Sequence, residues 1–138
     1  MFLALYDRDG AAIVYSDDGE HLFLFSGQPA AYIDADAVFS YRGEQLGWFE
    51  RGWLRDKDGR CVAFSEKAAA GPHVPARGPL PPIAPKQPLP TLERQDPRAL
   101  RPLHSNTWSN RSAIEFFARS PLRWPGNLGK PPDTIKRR

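Results

Sequence analysis

The residues that could do chemistry come in two look-alike clusters. Asp7-Arg8-Asp9-Gly10 and Asp56-Lys57-Asp58-Gly59 each set two carboxylates ahead of a glycine, which is how a calcium loop begins. With the glycine at the sixth loop position, the first ligand falls on Leu5 or Leu54 and the bidentate carboxylate on Ser16 or Ser65, so two essential oxygens are missing from both copies. The aspartates therefore read as turn formers. His21, His73 and His104 have no metal-ligand spacing, and Cys61 is the single cysteine. That excludes an intrachain disulfide and a cysteine-based zinc site, and leaves Cys61 as a small strand residue. There is no phosphate-binding glycine loop, nucleophile elbow or Cys-His pair. Many loops could supply a glycosidase-type carboxylate pair, but nothing selects one. The expectation is a non-enzyme with no catalytic residue, metal or cofactor.

The elements that would have to position these clusters form an internal repeat. Gly10, Gly27, Gly43 and Gly59 are 17, 16 and 16 residues apart. Five residues before each stands Leu5, Leu22, Val38 or Leu54; three after it stands Ile13, Ala30, Leu46 or Val62; five after it stands Tyr15, Tyr32, Trp48 or Phe64. An apolar run, a glycine turn and a second apolar run make a β-hairpin. Asp9-Gly10 and Asp58-Gly59 predict two-residue turns in which both residues take positive φ. Further turn residues separate the units, so the chain is read as four tandem hairpins, eight short antiparallel strands in an all-β fold. Alternation along a strand puts the residues three and five after each glycine on one buried face. The residue between them, Val14, Ala31, Gly47 or Ala63, is small in every unit. That predicts strands packing closely around a pseudo-fourfold axis, with closure removing exposed edges.

The chain changes character near Gly71. Residues 1–70 hold one of the 15 prolines and carry 7 Lys/Arg against 12 Asp/Glu, a net charge of −5; residues 71–138 carry 12 against 4, a net +8. Four segments follow: a hairpin repeat domain at 1–70, a Pro-rich extended linker at 71–103, a short amphipathic helical segment at 104–124 and a basic flexible tail at 125–138. Ten prolines in residues 71–103 make that stretch extended, with a reach of about 3.1 Å per residue, and it reads as a tether. Its PxxP spacings would suit a polyproline-binding domain, but this composition produces them by chance. Ser112-Ala113-Ile114-Glu115 has the form of a capping box that starts a short helix. Trp108, Ile114, Phe117 and Trp124 are its docking or partner residues.

Residues 3–67 resemble the bacterial 4-fold β-flower proteins. The likeness rests on Tyr6-Asp7-Arg8-Asp9-Gly10, on Gly27-Gln28-Pro29-Ala30-Ala31-Tyr32, and above all on the stretch from Gly43 through Gly47-Trp48 and Gly52-Trp53 to Asp58-Gly59. Trp108-Ser109 and Phe116-Phe117 are similar to the C-terminal segment of that family. The resemblance implies four hairpins around a pseudo-fourfold axis and no established activity, so no site residue is carried over. Gly47-Trp48 and Gly52-Trp53 are also similar to the Gly-Trp steps of choline- or glucan-binding hairpin repeats, which carry aromatic pairs in every unit; here only one unit is Trp-rich.

A hairpin domain this small needs apolar surface from elsewhere, either its own C-terminal segment or another protein chain, a second copy included. The expected function is a protein-interaction or assembly module. One alternative is nucleic-acid or acidic-surface binding by the basic tail, disfavoured because its cations are scattered among prolines without a stacking platform. Another is small-molecule or glycan binding by the hairpins. With no apolar run long enough to cross a membrane and no secretory leader at Met1–Tyr6, cytoplasmic residence is the default, with signal-less export left open.

Overall fold

A computed structural model of the chain describes residues 1–118. Eight strands, β1 (Leu3–Tyr6), β2 (Ala12–Ser16), β3 (His21–Leu24), β4 (Pro29–Asp34), β5 (Ala37–Phe39), β6 (Gln45–Glu50), β7 (Trp53–Asp56) and β8 (Cys61–Phe64), pair in chain order and close into an antiparallel barrel. The β1–β8 seam is short, with Tyr6 opposite Phe64 as its registered pair. The four hairpins β1–β2, β3–β4, β5–β6 and β7–β8 are the four sequence repeats.

Each hairpin carries a bulge at the same place. The register slips between Leu5 and Tyr6, Leu22 and Phe23, Val38 and Phe39, and Leu54 and Arg55. The unpaired extra residue is the one three after the glycine: Ile13, Ala30, Leu46 or Val62. This overturns the expected face assignment. A bulge turns two successive side chains to the same side and increases the twist, so the residues three and four after each glycine both point inward and the aromatic five after it points out. Leu5, Leu22, Val38 and Leu54 share one central cluster with Ala30, Leu46 and Val62, and Ile13 packs against it. Val14, Ala31, Gly47 and Ala63 stand directly across from the first four. A side chain at Gly47 would place Cβ 1.9 Å from the Arg55 carbonyl oxygen, so the inner wall has no space for one there. Tyr15, Tyr32, Trp48 and Phe64 are buried too, but in three outer clusters.

The turns also differ from expectation. Asp7 N–H donates to the Ala11 carbonyl (2.9 Å), Gly10 N–H donates to the Asp7 carbonyl (2.9 Å), and the same pair of bonds recurs at the other three tips. These are three-residue loops in which only the glycine takes positive φ, 84–101° across the four. At the first and fourth tips the side chain three before the glycine reinforces this loop. Asp7 Oδ1 accepts from the amides of Asp9 and Ala11, and Asp56 Oδ1 from those of Asp58 and Arg60, while the second tip forms the same loop with Leu24 at that position. Two successive positive φ values do occur, at Arg51 (54°) and Gly52 (81°), in the link between the third and fourth hairpins.

Helix α1 (Ala113–Phe117) starts with the capping box read from the sequence. Ser112 Oγ accepts from Glu115 N–H (3.1 Å), and Glu115 Oε1 accepts from Ser112 N–H (2.9 Å). Its Ala113, Phe116 and Phe117 belong to the same central cluster as the inward residues of all four hairpins. The barrel interior is thus filled by aromatic side chains from the far end of the chain.

Candidate functional site

The tether expectation does not hold. After β8 the chain crosses Trp53, whose indole N–H donates to the Ala69 carbonyl (3.0 Å) and whose ring leaves no room for a side chain at Gly71. It then runs around the outside of the barrel as a girdle that meets each hairpin tip in turn. The amides of Gly78, Gln87, Asp96 and Ser105 donate to the carbonyls of Gly10, Gly27, Gly43 and Gly59 at 2.8, 2.8, 2.8 and 3.1 Å. These donors are nine residues apart. At the same four crossings a Cβ on the glycine would lie 2.1–2.3 Å from the carbonyl oxygen of Ala76, Pro85, Arg94 or Leu103, again a nine-residue series. The repeat glycines therefore have two functions, turning the hairpin and admitting the girdle backbone.

Nine residues is three turns of a polyproline II helix, so each step returns the same face to the barrel. The partly buried girdle residues Gly78, Ala84, Pro90, Asp96, Pro102 and Ser105 all fall in one register of three. Ala99 belongs to it as well, and the amides of Ala84 and Ala99 donate to the Phe25 carbonyl (2.9 Å) and to Gln45 Oε1 (2.7 Å).

A second series of contacts ties each step to the preceding hairpin. Asp17, Asp34, Glu50 and Glu66 stand seven residues after the four glycines, on a rim at the links between hairpins. Arg77 pairs with Glu66 (3.0 Å) and Lys86 with Asp17; Gln95 Nε2 donates to Asp34 (3.1 Å), and His104 lies 3.4 Å from Glu50. Those four girdle residues are nine apart too. Arg98 adds contacts to Asp34 (3.3 Å) and Asp36 (3.5 Å), while Arg101 pairs with Asp36 and Glu50 and lies 4.5 Å over the Trp48 ring. The hydrogen bond and charge of Asp17 raise the pKa of Lys86, and those of Asp36 and Glu50 raise that of Arg101. The opposite charges of the two halves thus meet on the rim. Being exposed, these pairs are screened by water and each adds little to stability.

The fourth crossing is the most buried. Arg55 is 3% exposed and its Nη1 donates to the carbonyls of Gly59 and Ser105, both at 2.7 Å. Beyond it, Cys61 N–H donates to the Thr107 carbonyl (2.9 Å) and Ser109 N–H to the Cys61 carbonyl (2.7 Å), so residues 107–109 pair with the edge of β8 that β1 leaves free. Trp108 packs edge-on against Trp53 (5.7 Å) and Phe64 (6.4 Å), with the Arg8 guanidinium 5.6 Å above it. Burial pushes the Cys61 thiol pKa up, with Arg55 opposing and Asp56 adding to it, so the sulfur is held as an unreactive thiol.

Of the docking residues named from sequence, Phe117 is fully buried in the central cluster and Trp108 is half-buried at the seam. Ile114 is a correction: it is 39% exposed, on the outer side of the helix, and the inward neighbour of Phe117 is Phe116. Trp124 lies outside the described residues. Sequence reasoning also passed over Arg55 and Gln45. Their signal was the broken repeat, since Arg55 stands where the other units have Tyr6, Phe23 and Phe39, and Gln45 where they have Ala12, Pro29 and Cys61. Among the described residues no group of three or more His, Cys, Asp or Glu is placed to hold a metal ion, and no helix is long and apolar enough to cross a membrane. Asp7 and Asp56 spend their carboxylates on turn amides. Clefts lie both between girdle and barrel and beside the helix, where one of about 280 Å³ is bounded by Leu46, Asp58, Arg111 and Phe116. One of about 370 Å³ is bounded by Phe2, Tyr6, Phe49 and Leu80, and an open polar groove of about 560 Å³ at the third tip is bounded by Arg42, Glu44, Glu93 and Arg94.

No curated protein and no solved structure matches the chain. The family model described as 4-fold beta flower protein matches residues 3–117, from the first strand through the girdle to the last residue of the helix. Four bulged hairpins closed around an axis, with the match running through the segments that gird and fill them, place the chain in the 4-fold beta flower family.

Proposed function

We propose that this chain is a non-enzymatic protein-interaction or assembly module, in which the C-terminal segment docks in cis to complete the barrel and the outer surface of the girdle is left for a protein partner. The observation that carries this reading is the burial of Phe116 and Phe117 among the inward side chains of all four hairpins. A filled axis and a girdle fixed at four equivalent glycines make a rigid body whose recognisable features are all on its outside. The rim contacts support the same reading over nucleic-acid binding, because Arg77, Lys86, Arg98 and Arg101 are engaged with carboxylates of the chain itself.

The test compares the full chain with one ending at residue 103. Removing the pieces at Trp108, Phe116 and Phe117 should lower unfolding stability by several kcal/mol, since each buried phenylalanine contributes about 3–5. Denaturant unfolding and sedimentation velocity give the answer. Equal stability and an unchanged oligomeric state in the two chains would rule out docking in cis.

A further inference from the structure

The barrel closes unevenly. Three of its four boundaries between hairpins are bridged by the chain itself, at the β2–β3, β4–β5 and β6–β7 links; the β1–β8 seam has no such bridge. Tyr6 and Phe64 are its registered pair, and the seam ends differently on either side of them. Toward the hairpin tips, residues 107–109 pair with β8 and Trp108 packs over the join. Toward the links, the chain turns off. Ala68 N–H donates back to the Ser65 carbonyl (3.1 Å) and Ala69 N–H to the Arg51 carbonyl (3.3 Å), so residues 66–69 fold over the link between the third and fourth hairpins and not along β1. The gap left beside β1 is the cleft of about 370 Å³. Leu3 and Phe49 bound it from the barrel side, Phe49 packing on the central cluster. Phe2 and Leu80, 49% and 46% exposed, bound it from outside, so large apolar side chains converge on a space that the chain does not fill.

We propose that this cleft is a binding site for a free linear monocarboxylate of the medium-chain fatty acid class, its alkyl tail between Phe2, Phe49 and Leu80 and its carboxylate at Lys67. The volume lies in the small-ligand range of about 300–1,000 Å³ and suits one alkyl chain, not a folded element of a partner. The charge of the ligand follows from the mouth. Glu66 is engaged with Arg77 (3.0 Å), whereas the neighbouring Lys67 is exposed and has no carboxylate partner among the described residues, which leaves one cation uncompensated. Ser65, also on the cleft, adds a donor: its Oγ accepts from the Lys67 amide (3.1 Å), and its own proton is left for an anion. Apolar walls with a few convergent polar groups at one end are what an amphipathic anion requires. The site goes beyond the reading of the chain as an interaction module and does not depend on docking in cis, which uses the other half of the seam.

The test titrates butyrate, hexanoate, octanoate and decanoate into the full chain, followed by calorimetry and heteronuclear NMR. Decanoate should bind saturably, one to one, and each added methylene should tighten Kd by about fourfold. Leu80→Asp should weaken decanoate by about tenfold. Leu89→Asp, the same change at a girdle leucine that is as exposed (44%) but lies outside the cleft, should not. Lys67→Glu should weaken decanoate by about tenfold and strengthen decyltrimethylammonium, which has the same tail and the opposite charge. The melting midpoint without ligand should stay put in all three variants; should Leu80→Asp lower it, Lys67→Glu and the chain-length series decide. The proposal is overturned if decanoate shows no saturable binding, if affinity is independent of chain length, if Leu89→Asp weakens binding as much as Leu80→Asp, if Lys67→Glu leaves it intact, or if decyltrimethylammonium binds the unaltered chain as tightly as decanoate. Self-association that Leu80→Asp abolishes would overturn it too, by giving the cleft to a second copy. A chain that is destabilised by truncation at residue 103 and binds no carboxylate would sink this proposal and leave docking in cis standing.

Discussion

At each hairpin tip a glycine answers two demands that no other residue meets together. Its φ lies in the left-handed region, and the girdle passes where a Cβ would stand. Gly27→Ala separates the two when set beside Gly19→Ala. Both positions have positive φ, 101° and 80°, but the new methyl at Gly27 would sit 2.1 Å from the Pro85 carbonyl oxygen, whereas at Gly19 it meets only the Met1 sulfur at 3.0 Å. The backbone cost of about 1–2 kcal/mol is common to both, so Gly27→Ala should be the more destabilising in urea unfolding. Equal losses would mean that the girdle does not pack on the tip. Tyr41 gives a pH dependence at the same scale. Burial first, then the charge of Asp18 and the neighbouring Tyr32, raise its phenol pKa well above the ordinary 10.0, and the neutral hydroxyl donates to the Ala31 carbonyl (3.3 Å). A raised pKa in the folded state means that this contribution is complete below pH 10 and is lost as pH rises toward the folded value. Tyr41→Phe should therefore flatten the fall of the thermal midpoint above pH 10; an unchanged alkaline profile would remove Tyr41 from the account.

Among the elements, the helix is too short to persist alone, so its five residues are ordered by what they bury. Phe117→Ala should cost about 3–5 kcal/mol, while Ile114→Ala, on the exposed side, should stay within about 0.5 kcal/mol. Denaturant midpoints at equal m-value decide it, and a larger loss at Ile114 than at Phe117 would reverse the assigned face. The capping box was legible because it is a local device of four residues. The face was not, because Ile114 and Phe117 satisfy the same spacing rule as Ala113 and Phe117, and only the shape of the barrel interior chooses between them. The strands teach the same lesson. Their number and order follow from the glycine repeat, yet alternation alone misplaces every aromatic, because one bulge per hairpin changes which side chains turn inward.

For the whole molecule, the girdle makes closure independent of the weak β1–β8 seam. Its first step joins Gly78 to the first hairpin and Arg77 to Glu66 after the fourth, so it straddles that seam from outside, while residues 107–109 fill the open edge of β8. Although residues 76–105 have no regular secondary structure, trypsin should cut slowly at Lys86–Gln87 and Arg94–Gln95, and Gly27→Ala should speed the first site more than the second. Mass spectrometry of a digestion time course reports this. Native cleavage at Lys86 as fast as in the isolated 76–93 peptide would mean that the girdle is not held.

The sequence by itself determined four hairpins, the glycine at each tip, the change of composition and charge near Gly71, and the cap of the last helix. These are set by backbone preferences and short-range hydrogen bonds, which act over a few residues and so leave a local mark. It also carried the nine-residue rhythm of the girdle, but that rhythm has no meaning until it is laid beside a hairpin period of 16 or 17. One nine-residue step of extended chain spans one hairpin of folded chain, and only the closed barrel makes those two lengths equal. The tertiary structure alone decided that the aromatics face out under the girdle, that Phe116 and Phe117 fill the axis, and that Arg55 reaches the Ser105 carbonyl. Each of those contacts joins residues far apart along the chain, and each is fixed by the space left when four bulged hairpins close.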